Sequence, residues 1–444
     1  MEMTETTDLQ THIEQIRRHL DGFTNGSKRY GKVASIVGTI IKCTGLQASV
    51  GEVYGIENIM DNVIPAEVVG LEDQYALLMP YESIKGMQSG CKVEYMGQSL
   101  TISVGPEMLG RVVDANGDPI DQKGPILSGH QEPVHNDPPS PVEREPIDDI
   151  MSTGIRAIDA LNTIGKGQRV GLFAGSGVGK SVLLGMIARH SDADINVIAL
   201  IGERGREVQE FIDDILDEEL LERSIIVAET SDKSAMSRIK AAYTATSIAE
   251  YFRDRGKNVL LMMDSVTRVA MAQREVGLAT GEPPTTKGYT PSVFSMLPKF
   301  LERVGKTSSG SITGIYTVLV DSDDMNEPIA DAVRSILDGH IVLSRRLAHK
   351  NHYPAIDVPE SISRVMPNIV TQEQRELAGK VRDMITTYRE AENLINIGAY
   401  VEGSNPQIDK AVEKREDLES FLIQDINEAD FDSNLWDSLK KIIE

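Results

Sequence analysis

The chain has 444 residues, of which 40% are hydrophobic, and this length and composition predict about three globular domains with buried cores. Its 45 basic and 68 acidic residues give a formal net charge of −23, which argues against a nucleic-acid surface as the main function. The two cysteines, Cys43 and Cys91, lack the spacing of a disulfide framework or a zinc site, and a reducing compartment fits them.

The first predicted element is a short amphipathic helix within residues 1–25. Its apolar residues recur at helical spacing between charged ones, and they are Leu9, Ile13, Ile16 and Leu20. This pattern fits equally well a helix that packs on the body of the protein and a docking helix for a partner or a membrane surface. No signal-peptide pattern is present and no run reaches about 18 apolar residues, so we predict a protein that is neither secreted nor membrane-spanning.

Residues 26–104 are predicted to form a small β-barrel domain. Short alternating or β-branched runs separated by glycines are typical of many short strands, and they include 32–37, 66–69, 75–79 and 99–103. A linker from Pro125 to Pro146, rich in proline and charge, follows.

Residues 105–370, which include that linker, are predicted to form a nucleotide-binding domain. Five apolar runs end in polar residues and are separated by helical stretches: 170–174, 197–201, 259–263, 315–320 and 341–343. This is the pattern of a mostly parallel sheet whose ligands gather at one edge. Helical periodicity then marks residues 371–444. The predicted fold class is therefore α/β, with an N-terminal β-barrel, a central P-loop (RecA-like) domain and a C-terminal α-helical domain.

The most informative motif is a phosphate loop, Phe173-Ala-Gly-Ser-Gly-Val-Gly-Lys-Ser181, in which Ala174 replaces the usual first glycine. Its glycines allow backbone N–H groups to surround a polyphosphate at the start of a helix. The positions predicted to bind nucleotide are Gly175, Ser176, Gly177, Val178, Gly179, Lys180 and Ser181. Lys180 would neutralise the terminal phosphates, and the Ser181 hydroxyl would ligate Mg²⁺. The sequence thus predicts that the cofactors are ATP and Mg²⁺.

Further site candidates follow the other apolar runs. Asp264 ends one run and is predicted to hold Mg²⁺ with Ser181, rather than to act only as a helix cap. Glu203 could accept a hydrogen bond from the attacking water or form a structural ion pair, and spacing leaves both roles open. Spacing also does not choose the transition-state cation among Arg204, Arg268, Arg345, Arg346 and Arg364. Tyr353 is one of the few aromatic candidates for an adenine contact.

Together these motifs resemble the catalytic ATPases of type III protein export, relatives of the rotary ATP synthase catalytic subunit. The resemblance covers nearly everything after residue 30, and beyond the phosphate loop it rests on residues 110–120, 202–208, 264–268, 288–298, 353–357 and 361–364. It implies that Glu203 orients the catalytic water, that Arg204 belongs to the charge network of the site, and that Asp264 belongs to the metal shell. Arg364 resembles an arginine finger that reaches a neighbouring subunit, and Tyr353 resembles a ring that stacks on adenine. A finger supplied in trans implies a homohexamer.

Residues 398–406, Gly-Ala-Tyr-Val-Glu-Gly-Ser-Asn-Pro, are more similar to the flagellar export ATPase than to the acidic rotor loop of the synthase, although Asn405 stands where an aspartate is expected. The resemblance implies a cytoplasmic ring, peripherally associated with the inner membrane, that energises delivery and unfolding of flagellar proteins. It also implies four partners: a dimeric stator-like regulator at the N-terminal helix, a central stalk protein, the export gate, and export chaperone–substrate complexes.

Four alternatives stay open at this point. A proton-driven synthase is possible in fold terms but is disfavoured by the missing acidic rotor loop. A virulence-associated type III secretion ATPase shares most of the nucleotide motifs. A non-catalytic nucleotide-binding ring subunit is disfavoured by Glu203, because the resemblance implies that non-catalytic relatives typically lack a carboxylate there. A nucleic-acid translocase is disfavoured by the net charge of −23, so no nucleic-acid partner is expected.

Overall fold

The structure is a computed structural model that describes residues 30–97, 100–320, 324–428 and 435–444. Within these residues the chain divides into two compact units, one ending at Leu100 and one beginning at Thr101. The helix predicted within residues 1–25 lies outside the described residues.

The first unit is a closed, six-stranded antiparallel barrel, which confirms the predicted fold of this region. Its strands are β1 (Tyr30–Val37), β2 (Ile40–Thr44), β3 (Val53–Glu57), β4 (Val63–Glu72), β5 (Tyr75–Pro80) and β6 (Lys92–Gly97). They follow the order β1, β2, β5, β4, β3, β6, and the barrel closes because β6 pairs with β1. Closure leaves no unpaired strand edge.

The interior of the barrel is apolar. Side chains that alternate along the strands fill it, including Tyr54, Leu78 and Val93, which are fully buried. Both cysteines belong to this core as free thiols. Burial raises the pKa of the Cys43 thiol to about 12.

The second unit is built on an eight-stranded sheet. In spatial order its strands are β18 (Ile362–Ser363), β17 (Gly339–Leu343), β12 (Arg169–Ala174), β16 (Ser311–Leu319), β15 (Asn258–Asp264), β13 (Ile195–Ile201), β14 (Ser224–Glu229) and β8 (Arg111–Val113). Neighbouring strands are parallel except β17 and β18. All five predicted apolar runs are strands of this sheet, whereas β14, β8 and β18 were not identified from the sequence.

Two short antiparallel pairs lie outside the large sheet. One joins β7 (Thr101–Val104) to β9 (His130–Pro133), and the other joins β10 (Ile150–Met151) to β11 (Ile164–Gly165). The assignment of the 99–103 run to the barrel was therefore wrong, and the segment read as a linker contains a strand. The alternation of residues reveals a strand but not the strand with which it pairs. The partner of β7 is β9, a proline-containing segment. The carbonyl of Val134, which follows β9, accepts a hydrogen bond from buried Arg303.

The helices of the second unit connect these strands and form its C-terminal part. They are α1 (Arg156–Asp159), α2 (Lys180–His190), α3 (Gly205–Glu210), α4 (Glu218–Glu222), α5 (Ala235–Arg253), α6 (Val266–Ala279), α7 (Pro291–Leu301), α8 (Pro328–Ile336), α9 (Arg345–His349), α10 (Met366–Ile369), α11 (Gln372–Asn396), α12 (Pro406–Glu413), α13 (Arg415–Leu422) and α14 (Leu435–Ile443). A π-helical turn at Phe211–Ile215 extends α3, and 3-10 turns occupy Pro106–Met108 and Thr286–Gly288. No helix of the described residues is long and apolar enough to cross a membrane.

The C-terminal helices share one hydrophobic core with the sheet. The long helix α11 begins with a capping box, in which Thr371 and Gln374 exchange side-chain to backbone hydrogen bonds. Its Val381 is fully buried, and Phe421 of α13 and Leu439 of α14 join the same buried cluster as the sheet residues. The predicted C-terminal α-helical region is confirmed, and it is anchored by apolar packing on the nucleotide-domain sheet.

Candidate nucleotide-binding site

The phosphate loop occupies the turn between β12 and α2. Gly177 and Gly179 have φ values of 76° and 87°, in the left-handed region that favours glycine, and Gly179 is the N-cap of α2. Val178 lies between them with its side chain 1% exposed in the hydrophobic core. At Val178, therefore, the backbone rather than the side chain is available to a phosphate.

A cavity of about 500 Å³ opens beside this loop at the carboxyl edge of the sheet. The predicted site residues that line it are Gly175, Ser176, Gly177, Gly179, Lys180, Ser181, Glu203, Arg204 and Asp264. They meet because β12, β13 and β15 run parallel through the sheet, so the residues that follow or end each strand share one edge. Ligands of open α/β sheets bind at this edge.

Lys180 lies between two carboxylates. Its Nζ forms an ion pair with Asp264 Oδ1 and lies 3.8 Å from Glu203 Oε1. Asp264 is 3% exposed, and its Oδ1 also accepts a hydrogen bond of 2.7 Å from Thr317 Oγ1 on the neighbouring strand β16. A buried charge is tolerated when it is paired and hydrogen-bonded, and Asp264 meets both conditions.

Glu203, unlike Asp264, has a buried carboxylate oxygen, Oε1, that accepts no hydrogen bond within the described residues. Burial, the negative charge of Asp264 and a hydrogen bond with Glu207 raise the pKa of Glu203 to about 7, although the charge of Lys180 lowers it. A carboxyl group with a pKa near neutrality is suited to accept a hydrogen bond or a proton from water.

Arg204 and Glu207 form a capping box at the start of α3. The Arg204 backbone N–H donates to Glu207 Oε2 at 3.4 Å, and Arg204 Nη1 donates to Glu207 Oε1 at 2.7 Å. Hydrogen bonds from Glu203 and Arg204 lower the pKa of Glu207. The Arg204 side chain is 80% exposed, so it lies at the rim of the cavity and not beside Lys180.

Glu207 and Arg268 line the cavity, and Thr317 contacts one of the lining residues, but the sequence assigned a definite role to none of them. Glu207 could have been recognised from its position three residues after Arg204, where a capping glutamate is expected. Arg268 was an unresolved candidate cation; it lines the cavity, and its buried Nε has no hydrogen-bond partner within the described chain. Thr317, which holds Asp264, lies inside an apolar run that gave no such indication.

Tyr353 and Arg364 are not part of the cavity lining within the described residues. Tyr353 is 39% exposed, and a side chain at Gly179 would come within 3.4 Å of Tyr353 Cε1, so the ring lies against the phosphate loop. Arg364 follows β18 and is exposed, and its Nη2 donates to the Arg334 carbonyl at 3.4 Å. Of the other candidate cations, Arg346 pairs with Glu392 at 3.2 Å.

Comparison with known proteins assigns this architecture to a family. Residues 33–97 match the beta-barrel domain of the ATP synthase alpha/beta family, residues 154–363 match its nucleotide-binding domain, and residues 370–441 match the T3SS EscN ATPase C-terminal domain. The flagellum-specific ATP synthase of Bacillus subtilis (strain 168) is 56% identical over 91% of this chain and 93% of its own length. The chain belongs to the family of flagellar and type III secretion ATPases.

Solved structures of this ATPase family agree with the fold. The assembled ATPase EscN of the enteropathogenic E. coli type III secretion system has a TM-score of 0.89 and 49% identity, covering 93% of this chain and 100% of that one. EscN in complex with its central stalk EscO has a TM-score of 0.86 and 47% identity, with the same coverage of both chains. The predicted resemblance is confirmed, and as a member of this family the chain is an ATPase.

Proposed function

We propose that the chain is a Mg-ATP-hydrolysing ring ATPase that energises delivery and unfolding of flagellar proteins for type III export. The observation that carries this proposal is the meeting of Lys180, Glu203 and Asp264 beside the phosphate loop. The volume of the cavity, about 500 Å³, lies in the range of small-molecule sites.

The loop and its flanking residues have the donors that a nucleotide triphosphate requires. Backbone N–H groups of residues 175–179 would surround the phosphates, and Lys180 would neutralise their charge. The Ser181 hydroxyl and the Asp264 carboxylate line the cavity and offer the oxygen ligands that Mg²⁺ prefers. Bound Mg²⁺ would offset charge on the β- and γ-phosphates.

Glu203 would orient the attacking water and accept its proton. The Glu203→Gln substitution keeps the size of the side chain and an oxygen that accepts hydrogen bonds, but it removes the carboxylate that can take a proton. We therefore expect kcat to fall by about 10² to 10⁴-fold with ATP binding retained. The matched control is Glu210→Gln, which changes the last residue of the following helix α3, a glutamate that pairs with exposed Arg206. A Glu203→Gln protein that hydrolyses ATP as fast as the wild type would falsify the proposed mechanism.

Arg364 would complete the site of a neighbouring subunit. Its exposure, and its position outside the cavity of its own chain, support action in trans and hence a homohexamer. We expect the ATPase rate per wild-type chain to rise steeply with protein concentration, and Arg364→Ala to stay lower by about 10³-fold or more at every concentration. Arg375→Ala, at an exposed arginine of α11, is the control. A flat wild-type rate and a fully active Arg364→Ala protein would contradict the ring mechanism.

Tyr353 would stack on the adenine base. Its exposed ring lies against Gly179 of the phosphate loop, which supports a contact with a nucleotide bound there. Aromatic stacking is tolerant of which base is bound, so Tyr353→Ala should weaken binding of both ATP and GTP.

The proposed partners extend beyond the ring. The complex of the similar EscN with its central stalk EscO supports a stalk partner for this chain. By resemblance we also propose a dimeric stator-like regulator for residues 1–25, an export gate at the inner membrane, and export chaperone–substrate complexes. The ring would then be cytoplasmic and peripherally associated with that membrane.

A virulence-associated type III secretion ATPase is the second candidate function. The match of residues 370–441 to the T3SS EscN domain favours it, whereas the higher identity to the Bacillus subtilis flagellar relative favours flagellar export. Expression in a motile bacterium that lacks its flagellar export ATPase separates the two: restored swimming supports the flagellar role, and restored secretion of virulence proteins alone supports the second.

A further inference from the structure

A short turn after helix α13, residues 424–428, contacts three separate parts of the second unit. The Gln424 backbone N–H donates to the Tyr353 carbonyl at 2.9 Å. Arg189 of α2, the helix that follows the phosphate loop, donates through Nη1 to Asn427 Oδ1 at 3.2 Å. The 424–428 turn therefore touches both the segment that carries Tyr353 and the helix that carries Lys180.

The side chain of Gln424 fixes this turn in place. It is 4% exposed, and its Nε2 donates to the Gly154 carbonyl at 2.6 Å and to the Glu428 carbonyl at 2.7 Å. Its Oε1 accepts from the Arg156 backbone N–H at 3.0 Å. A buried amide with all of these partners holds its own backbone in one position, and that backbone holds Tyr353.

Arg156 supports Gln424 from the other side. Its Nε donates to the Phe421 carbonyl at 2.7 Å and its Nη2 to the Ile423 carbonyl at 2.6 Å, and its guanidinium pairs with Glu428. The planar guanidinium thus holds the chain immediately before Gln424 and at the end of the turn. A lysine could not make this set of contacts, because it offers a single nitrogen.

We propose that Gln424 is a positioning residue for the nucleotide base, acting through the backbone of Tyr353. The proposal rests on the proposed role of Tyr353, whose ring lies against Gly179. Gln424 fixes the carbonyl of Tyr353, and thereby the direction in which the ring leaves the chain beside the phosphate loop. The proposed phosphate contacts would come from residues 175–181, which Gln424 does not contact directly, so they should change less than the contact with the base.

Two ligands separate the base from the phosphates. ADP and tripolyphosphate, each with Mg²⁺, would be titrated by calorimetry into wild type, Gln424→Ala, Tyr353→Ala and the double variant. We expect Gln424→Ala to raise Kd for ADP by about 5 to 10-fold and to change Kd for tripolyphosphate by less than about twofold. The double variant should match Tyr353→Ala, because the two residues act in one pathway. Gln407→Ala, at an exposed glutamine of α12, should bind both ligands as the wild type does.

The outcomes distinguish this inference from the proposed function. If Tyr353→Ala binds ADP as tightly as the wild type, the stacking role of Tyr353 is wrong. If Tyr353→Ala weakens ADP binding but the Gln424→Ala effect simply adds to it, or tripolyphosphate binding falls equally, then Gln424 has only a structural role. Should Gln424→Ala not fold, Arg156→Lys provides the same comparison and is expected to act in the same direction.

Discussion

The barrel core and the carboxyl edge of the nucleotide-domain sheet both contain buried side chains, but those of the barrel are apolar and those of the sheet edge are charged. The barrel core consists of apolar side chains and two free thiols, and every Å² of apolar surface that it removes from water stabilises the fold by about 25 cal/mol. The sheet edge holds Lys180, Glu203 and Asp264, whose charges are costly to bury unless each is paired. The comparison indicates that the barrel contributes stability and that the sheet edge gives up some stability for chemistry.

The largest expected effect tests the sheet edge. Lys180→Met removes the cation that lies between two carboxylates, so we expect the ATPase rate to fall by about 10³-fold. The control is Lys410→Met, at an exposed lysine of α12. Steady-state hydrolysis at saturating ATP measures the activity of both variants. Near-wild-type activity of Lys180→Met would contradict the claim that the charged residues of the sheet edge serve ATP hydrolysis.

The next effect tests the barrel. Leu78 is 0% exposed in the barrel core, and Leu78→Ala should lower the free energy of unfolding by about 2 to 5 kcal/mol, because it removes buried methyl groups and leaves a cavity. Leu71→Ala, at a leucine that is 57% exposed on β4, should cost less than about 0.5 kcal/mol. Urea unfolding gives both values. If the folded Leu78→Ala protein lost as much kcat as Lys180→Met, the claim that the barrel core contributes to stability and not to catalysis would be wrong.

The smallest effect concerns the cost of burying Glu203. Its pKa is raised from 4.5 to about 7, so the folded state binds the proton more tightly than the unfolded chain does. The stability that this proton provides is fully present below about pH 4.5 and is lost as pH rises towards 7. We expect wild type to lose about 1 to 3 kcal/mol more than Glu203→Gln between pH 5 and pH 8.

Urea unfolding of both proteins at the two pH values measures this difference, which includes the effect of the Glu203 carboxyl on the pKa of Glu207. Identical pH dependence in the two proteins would show that the Glu203 carboxyl is not perturbed. The same pKa predicts that kcat/KM rises with pH through about 7, because the ionised carboxylate is the form that accepts a proton.

The sequence predicted those parts of the site that depend only on where the apolar runs end. Asp264 and Glu203 each come at the end of an apolar run, and parallel strands bring such ends together, so their meeting with Lys180 could be foreseen. Thr317 could not be foreseen, because its role depends on which strand lies beside β15, and the alternation of residues within one strand does not specify a neighbour.

The errors in the fold have the same origin. The run at 224–229 is apolar enough to be a strand, but it was not assigned, and the three residues of β8 are too few to show a periodicity. The 99–103 run was assigned to the barrel because it follows the other barrel strands in the chain, although it pairs with His130–Pro133. Pairing between distant segments is decided by tertiary packing, which local patterns do not record.

The burial of Val178 has a consequence for the kinetics of nucleotide capture. A glycine-rich loop would ordinarily lose much conformational freedom when it closes around a phosphate. Here the central residue of the loop is already seated in the hydrophobic core, so this ordering takes place during folding instead of during ligand encounter. We therefore expect the association rate to be governed by diffusion and by the local field of Lys180, and the residence time by the groups on the far side of the cavity.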